Sequence, residues 1–324
     1  MVMPLHADSL PPFGEPLPEL EVGDTLGPYR LEALAGEGGM GRVFRATHTD
    51  EGRPVALKVL RRRYARRPEA IARFFQEAQA VNRVHHPNII EITDFVEGPP
   101  GGDSYYIMRW LEGETVAARL ARTRVLPASL VLHLGRQVAS ALAAVHARGV
   151  IHRDLKPDNL FLIERSGRTD ATLIDFGVAQ ADGERDGVVA GTPAYLSPEA
   201  AAGRPLDGRS DIYAVGVVLY ELLAGAPPFR GATLSEYVMK HMTEKPRPLT
   251  EVVAQPLPPG LSAVVARCLA KDPADRYQSM DELEAVLASL ASGRDPARAQ
   301  RRWMALGAGA LALAAAAALA YLLR

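Results

Sequence analysis

His152-Arg153-Asp154-Leu155-Lys156-Pro157-Asp158-Asn159 is the stretch on which the reading of this chain turns. It follows a long run of helical periodicity, Leu130 to Ala147, and precedes a short apolar run, Leu160 to Ile163. That places it in a loop between a helix and a strand. A second short stretch, Asp175-Phe176-Gly177, closes the next apolar run, Ala171 to Ile174. Together the two supply a carboxylate base, a cation and two metal-binding oxygens within a short span. Transfer of a phosphoryl group requires little else: an aligned hydroxyl, neutralised charge on the moving group, and a divalent ion on hard oxygen ligands.

N-terminal to this stretch, short β-prone runs follow one another at Tyr29 to Ala35, Arg42 to Ala46 and Val55 to Leu60. Gly36-Glu37-Gly38-Gly39-Met40-Gly41 separates the first two, and Thr49-Asp50-Glu51-Gly52 makes a hairpin turn before the third. The GxGxxG spacing lets backbone N–H groups approach phosphate oxygens, although a plain glycine-rich hairpin has the same pattern. A dinucleotide fold would need a helix after the glycines; here Val43 and Phe44 continue as strand, which favours a hairpin over ATP. Lys58 ends the apolar run Val55-Ala56-Leu57-Lys58, where burial without a partner is costly. The run Pro68 to Arg83 is helical, with Ile71, Phe74, Phe75, Ala78 and Val81 on one stripe. Glu77 lies on the side of Phe74 and Val81, so a Lys58–Glu77 ion pair is expected; the alternative is an edge-strand lysine facing solvent. Two further strands are read at Ile89 to Val96 and Tyr105 to Arg109.

Beyond Gly113 the pattern becomes helical, strongest over Leu130–Ala147 and Ile212–Leu223, weaker over Leu234–Met242, Leu261–Ala270 and Asp281–Leu290. A β-rich part followed by an α-rich part implies two lobes of an α+β fold. Lys+Arg of 37 against Asp+Glu of 38 gives a net charge of -1, which argues against nucleic acid as the partner. A single cysteine, Cys268, rules out an internal disulfide framework. Met1 to Leu10 has neither a cationic start nor an apolar run, so no secretory signal is expected there.

At these motifs the sequence resembles the protein kinases, and among them the bacterial Hanks-type serine/threonine kinases. The motifs occur in family order: Gly36 to Val43, Val55 to Lys58, His152 to Asn159, Asp175 to Gly177, and Gly191-Thr192-Pro193-Ala194-Tyr195-Leu196-Ser197-Pro198-Glu199. The resemblance implies a bilobal kinase fold: a small antiparallel sheet with one helix (29–108), a hinge (109–113) and a larger, mainly helical lobe (114–290). It implies ATP as phosphoryl donor and Mg²⁺, with Mn²⁺ as the alternative, and proteins bearing Ser or Thr as acceptors. Residue by residue, Asp154 resembles the carboxylate that accepts the hydroxyl proton, and Lys156 the cation on the moving phosphate. Asn159 and Asp175 resemble the metal ligands; Lys58 and Glu77 resemble the phosphate-anchoring pair. Leu34, Gly36, Gly38, Gly41, Val43, Ala56, Met108, Leu111 and Phe161 correspond to the ATP-binding positions. Glu199, Asp211 and Arg276 correspond to buried structural charges, and Arg153 and Thr192 to the activation and acceptor-binding segment. Serine/threonine rather than tyrosine specificity follows from Lys156 and Thr192.

The sequence departs from the family where Arg153 usually meets a phosphorylated loop residue. Between Phe176 and Gly191 there is no Ser, Thr or Tyr, but there are Asp182, Glu184 and Asp186. Either one of these carboxylates substitutes in part for phosphate, or the loop is simply acidic and is ordered by a partner. At the N-terminus, residues 1–28 read as a Pro-rich flexible leader. At the C-terminus, a polar linker (291–302) precedes Trp303 to Leu323, which is free of charge and Pro. About 20 helical residues span a bilayer core of roughly 30 Å, so a transmembrane helix is expected. Arg294, Arg298, Arg301 and Arg302 before it, against Arg324 after it, place the catalytic domain in the cytoplasm, single-pass at the inner membrane. Small residues such as Ala305 and Gly309 would let two such helices pack as a homodimer. An Ala-rich helix of the soluble domain is the alternative. Two other functional classes remain as contrasts: a pseudokinase scaffold, against which Lys58, Asp154, Asn159 and Asp175 all stand, and a small-molecule phosphotransferase, whose catalytic loop differs.

Overall fold

The computed structural model of the chain describes residues 18–176 and 193–293, apart from the side chains of Glu77, Ala80 and Val81. The chain divides into two compact units: residues 18–82 with 91–111, and residues 83–90 with the described residues from 112 onward.

The first unit is a six-stranded, wholly antiparallel sheet with one helix. Its strands are β1 (Thr25–Leu26), β2 (Tyr29–Glu37), β3 (Gly41–His48), β4 (Pro54–Leu60), β5 (Ile92–Val96) and β6 (Tyr105–Arg109), in the order β1-β2-β3-β4-β6-β5. Side chains of a strand alternate between faces, and directly paired residues share one. Phe44, Leu57 and Ile107 are in register and fully buried on one face, in a cluster with Leu31, Val55 and Val59. Val43, Lys58 and Tyr106 are in register on the other, as are Ala56 and Met108. The helix α1 (Pro68–Asn82) buries Phe74, Phe75 and Ala78. The Phe74 ring lies 5.0 Å from that of Tyr106, and Phe75 lies 6.4 Å from Phe95.

Order begins before the boundary read from sequence. Leu20 and Leu26 belong to the buried cluster, and the buried Arg42 donates from Nη1 to Leu20 O at 2.6 Å. Residues 1–17 lie outside the described residues. The fifth strand starts at Ile92, not Ile89. Residues Ile89 and Ile90 belong instead to the second unit, where Ile89 forms a parallel bridge with Leu173 and Ile90 N–H donates to Leu173 O at 2.8 Å.

The second unit has a three-stranded antiparallel sheet of β7 (Glu114–Thr115), β8 (Leu160–Arg165) and β9 (Arg168–Leu173). Its helices among the described residues are α2 (Val116–Thr123), α3 (Ala128–His146), α4 (Pro198–Ala201), α5 (Gly208–Ala224), α6 (Leu234–Thr243), α7 (Leu249–Val252), α8 (Leu261–Cys268) and α9 (Met280–Ala291). Helix α3 is long and apolar enough to cross a membrane, but Val131, Leu134, Val138, Leu142 and Val145 are buried and it packs on α5, α9 and β9. Helix α5 is apolar nearly all round, as a helix through the middle of a core must be: Ile212, Tyr213, Val215, Val217, Leu219 and Leu223 are all buried. Asp207 caps its start, accepting from Arg209 N–H at 2.8 Å, and Gly225 ends it in the left-handed region at φ 78°. Against α5 lies Cys268, fully buried; a side chain at Gly216 would put its Cβ 2.6 Å from the Cys268 Cβ. Gly113 opens the unit with φ 153° and the carbonyl oxygen of Leu162 where a Cβ would stand, so no other residue fits there. The linker from residue 294, and the segment 303–323 read as membrane-spanning, lie outside the described residues.

Candidate active site

In the second unit the loop between α3 and β8 is folded around one buried carboxylate. Asp211, in the first turn of α5, accepts His152 N–H at 2.9 Å and His146 Nε2–H at 2.7 Å on Oδ2, and Arg153 N–H at 3.0 Å on Oδ1. Burial by itself would raise this carboxyl, but the hydrogen bond from His146 and the charge and backbone of His152 hold it below the ordinary range. The two backbone donors fix consecutive peptide units of the loop, His146 steadies the carboxylate from the end of α3, and Arg153 is held at φ 68°, where non-glycine residues are uncommon. Burial lowers the His152 imidazole, against the opposing pull of Asp211, Asp154 and Asp175. The ring lies 4.5 Å from that of Phe176, itself 2 % exposed.

On this scaffold three predicted residues come together. Lys156 Nζ lies 2.6 Å from Asp154 Oδ2. Asn159 Nδ2 donates to Asp154 O at 2.7 Å and to Asp154 Oδ2 at 3.2 Å. Both donors converge on Oδ2. Because Asn159 spends its nitrogen on Asp154, its amide oxygen is directed elsewhere as an acceptor. Ile174 N–H donates to Asn159 O at 3.0 Å, tying the loop to the residue before Asp175, whose Oδ1 accepts Phe176 N–H at 3.1 Å. The end of β9 is fixed from the other side as well: Leu173 N–H donates to Asn88 O at 2.8 Å, and Asn88 Nδ2 to Ala171 O at 2.7 Å. No group of three or more His, Cys, Asp or Glu side chains that could hold a metal occurs among the described residues. An amide oxygen and a carboxylate, however, are the donors suited to Mg²⁺, which keeps waters and completes its shell with substrate phosphates.

Further from the loop, Glu199 and Arg276 form a bidentate pair, with Nη1 to Oε1 at 2.7 Å and Nη2 to Oε2 at 2.8 Å. Arg276 is fully buried, and its remaining N–H groups donate to the carbonyls of Ala270, Arg209 and Lys271. Phe161 lies on β8, paired with Thr115.

In the first unit, Val43, Ala56, Lys58 and Met108 share one face of the sheet, and Lys58 Nζ stands 5.7 Å from the centre of the Tyr106 ring. Leu34 on β2 is 41 % exposed. Gly36 pairs with Val43 at the base of the glycine hairpin, and Gly41 has no room for a side chain: its Cβ would stand 2.8 Å from Val59 O. Leu111 is the last residue of this unit. The Glu77 side chain, Gly177, Thr192 and the acidic run Asp182, Glu184 and Asp186 lie outside what is described.

Sequence reasoning missed His146, Ser210, Arg61 and Arg63. His146 anchors Asp211, and Ser210 Oγ donates to Glu199 Oε1 at 2.6 Å. Arg61 and Arg63 donate to glycine-hairpin carbonyls. The one signal was position: His146 ends the helix before the loop, and Ser210 adjoins Asp211.

An antiparallel sheet bearing a glycine hairpin and a strand lysine, and a helical unit bearing a carboxylate–lysine–asparagine loop, are the features of the protein-kinase class of folds. Residues 29–287 match the family described as "Protein kinase domain", and the chain belongs to that family. It is 40 % identical over 277 residues to the serine/threonine-protein kinase pkn3 of Myxococcus xanthus, covering 82 % of this chain and 50 % of that protein. It is 41 % identical over 265 residues to Pkn1 of the same organism, covering 80 % and 38 %, and 38 % identical over 285 residues to PknA of Mycobacterium tuberculosis, covering 86 % and 64 %. The chain thus spans half or less of the length of the two Myxococcus relatives. Among solved structures it is similar to the kinase domain of Mycobacterium tuberculosis PknI, with a TM-score of 0.63 at 31 % identity, covering 84 % of this chain and 99 % of that one.

Proposed function

We propose that the chain transfers the γ-phosphoryl group of ATP to serine and threonine hydroxyls of proteins, its own included, and does so at a membrane held by residues 303–323. The observation that carries the reading is the convergence of Lys156 and Asn159 on one oxygen of Asp154. With Oδ2 occupied, Oδ1 receives the substrate O–H. As the hydroxyl oxygen bonds to the γ-phosphorus and the bond to the ADP oxygen breaks, the proton passes to Asp154. Lys156 offsets the negative charge of the moving group. Asn159 Oδ1 and Asp175 would hold Mg²⁺, which supplies charge neutralisation on the phosphates. Lys58, paired with Glu77, anchors further phosphate oxygens, and Leu34, Val43, Ala56, Met108, Leu111 and Phe161 take the adenine. Buried Arg153 Nε has no hydrogen-bond partner among the described residues, which fits a carboxylate from Asp182, Glu184 or Asp186 standing where related loops place a phosphate.

Incubating the full chain in detergent with labelled ATP, Mg²⁺ and a basic protein, beside Asp154→Asn, tests the reading. The expected result is phosphate on Ser or Thr, lost in the variant, with phosphosites mapped by mass spectrometry. ATP binding without transfer by the unaltered chain would instead make it a scaffold.

A further inference from the structure

The tip of the glycine hairpin is held by arginines of its own unit. Arg61 follows β4 and leads into the 3-10 turn Arg62–Tyr64. Its Nε donates to Gly38 O at 3.0 Å, and its backbone N–H to Met40 O at 2.9 Å. Arg63 Nη2 donates to Gly39 O at 2.8 Å. Three consecutive carbonyls are therefore drawn towards one short segment. There are no cis peptide bonds among the described residues, and in a trans peptide the N–H points opposite to the C=O of the same plane. The N–H groups of Gly39, Met40 and Gly41 consequently face away from Arg61 and Arg63. Successive amides aimed to one side make a concavity suited to an anion. Arg61 is itself braced: its Nη2 lies 2.9 Å from Glu37 Oε1, an oxygen that also stands 3.5 Å from Arg42 Nε. The Gly38 N–H, bonded to Gly41 O at 2.8 Å, closes the turn.

We infer that Arg61 and Arg63 are positioning residues that set the glycine-hairpin amides for the phosphates of ATP, acting through the backbone rather than touching the nucleotide. The inference rests on the ATP-dependent reading above. A hairpin of three glycines and one methionine is otherwise free to move, and its ordering would weaken every binding event. Charge-assisted bonds to its carbonyls remove that freedom beforehand.

The test is calorimetric binding of Mg-ATP and of adenosine, which has no phosphate, to the full chain in detergent, for the unaltered protein, Arg61→Met/Arg63→Met and Arg63→Lys. The double variant is expected to bind ATP about tenfold more weakly, the loss expected from about one charge-assisted hydrogen bond, and adenosine within about twofold of the unaltered protein. Arg63→Lys, which retains a donor for Gly39 O, is expected to bind ATP within about threefold of it. Equal ATP affinity in the double variant overturns the inference. So does an equal loss of ATP and adenosine, which would mean that the arginines merely support the unit's fold. If the unaltered chain binds adenosine and ATP alike, or neither, the ATP-dependent reading has itself failed and the arginine role falls with it.

Discussion

Glu199→Ala should be among the most damaging substitutions away from the active-site loop. It removes both acceptors of the bidentate pair while leaving Arg276, fully buried, in place. Three of the five guanidinium N–H groups keep the carbonyls of Ala270, Arg209 and Lys271; two lose their partner, and Ser210 Oγ loses its acceptor as well. An orphaned buried donor costs about 1–3 kcal/mol, and breaking one side of a buried ion pair about 3–5 kcal/mol. The expected loss is about 4 kcal/mol, or about 10 °C in Tm for a unit of this size. Thermal and urea unfolding followed by far-UV circular dichroism would measure it. Arg276→Met, which removes the charge and keeps bulk, completes a double-mutant cycle. The double variant should cost about as much as one single, because the penalty lies in stranding the partner. The effect also has a pH signature. Burial alone would raise the Glu199 carboxyl, but hydrogen bonds from Arg276 and Ser210 hold it below its usual range. A depressed carboxyl stabilises the fold above its unfolded value, about 4, and that contribution is lost as pH falls through the folded value. The gap between variant and unaltered protein should therefore narrow in acid. A cost below about 1 kcal/mol, or strictly additive singles, would show that the pair contributes little and that the reasoning is wrong.

Asp211→Asn keeps shape but replaces one acceptor oxygen with a donor, opposite backbone N–H groups or His146. The loop bearing Asp154 should shift, with kcat falling about 100-fold and KM for ATP little changed; unaltered steady-state kinetics would remove Asp211 from the positioning of the loop. His241 is buried, its Nδ1 meeting Tyr213 Oη at 2.9 Å, and burial lowers its imidazole to about 4. The unfolded chain takes up a proton on this ring below about pH 6.5 and the folded one does not, so stability present above that pH is lost on the way down to pH 4, by about 3 kcal/mol. His241→Gln should flatten the decline over that window in a pH series of urea unfolding curves; an unchanged slope would place the titration elsewhere.

The strands of the first unit were legible because alternation and glycine turns both bounded them: Tyr29, Leu60, Tyr105 and Arg109 are element ends in the sequence reading and in the structure. The fifth strand was read early because Ile89, Ile90 and Ile92 form one apolar run, and periodicity cannot tell that Ile89 bridges to Leu173, and Ile90 N–H donates to Leu173 O, in the other unit. Helix α2 was missed: Val-Ala-Ala-Arg-Leu-Ala-Arg-Thr is short, and its start rests on one cap, Thr115 Oγ1 accepting Ala118 N–H. The loop 152–159 could be read because its polar residues act through their side chains. His146, Arg61 and Arg63 could not, since each acts on a carboxylate or carbonyl distant in sequence or unnamed by side-chain type.

The sequestered Cys268 has a practical consequence. It is the chain's only thiol, it is fully enclosed against α5, and burial pushes it up to about 12. A thiol in that condition is inert to alkylating and disulfide reagents until the helices around it part. The rate of its modification therefore counts openings of the helical unit. Every variant described above carries this clock without an added label, in crude lysate as well as in purified form.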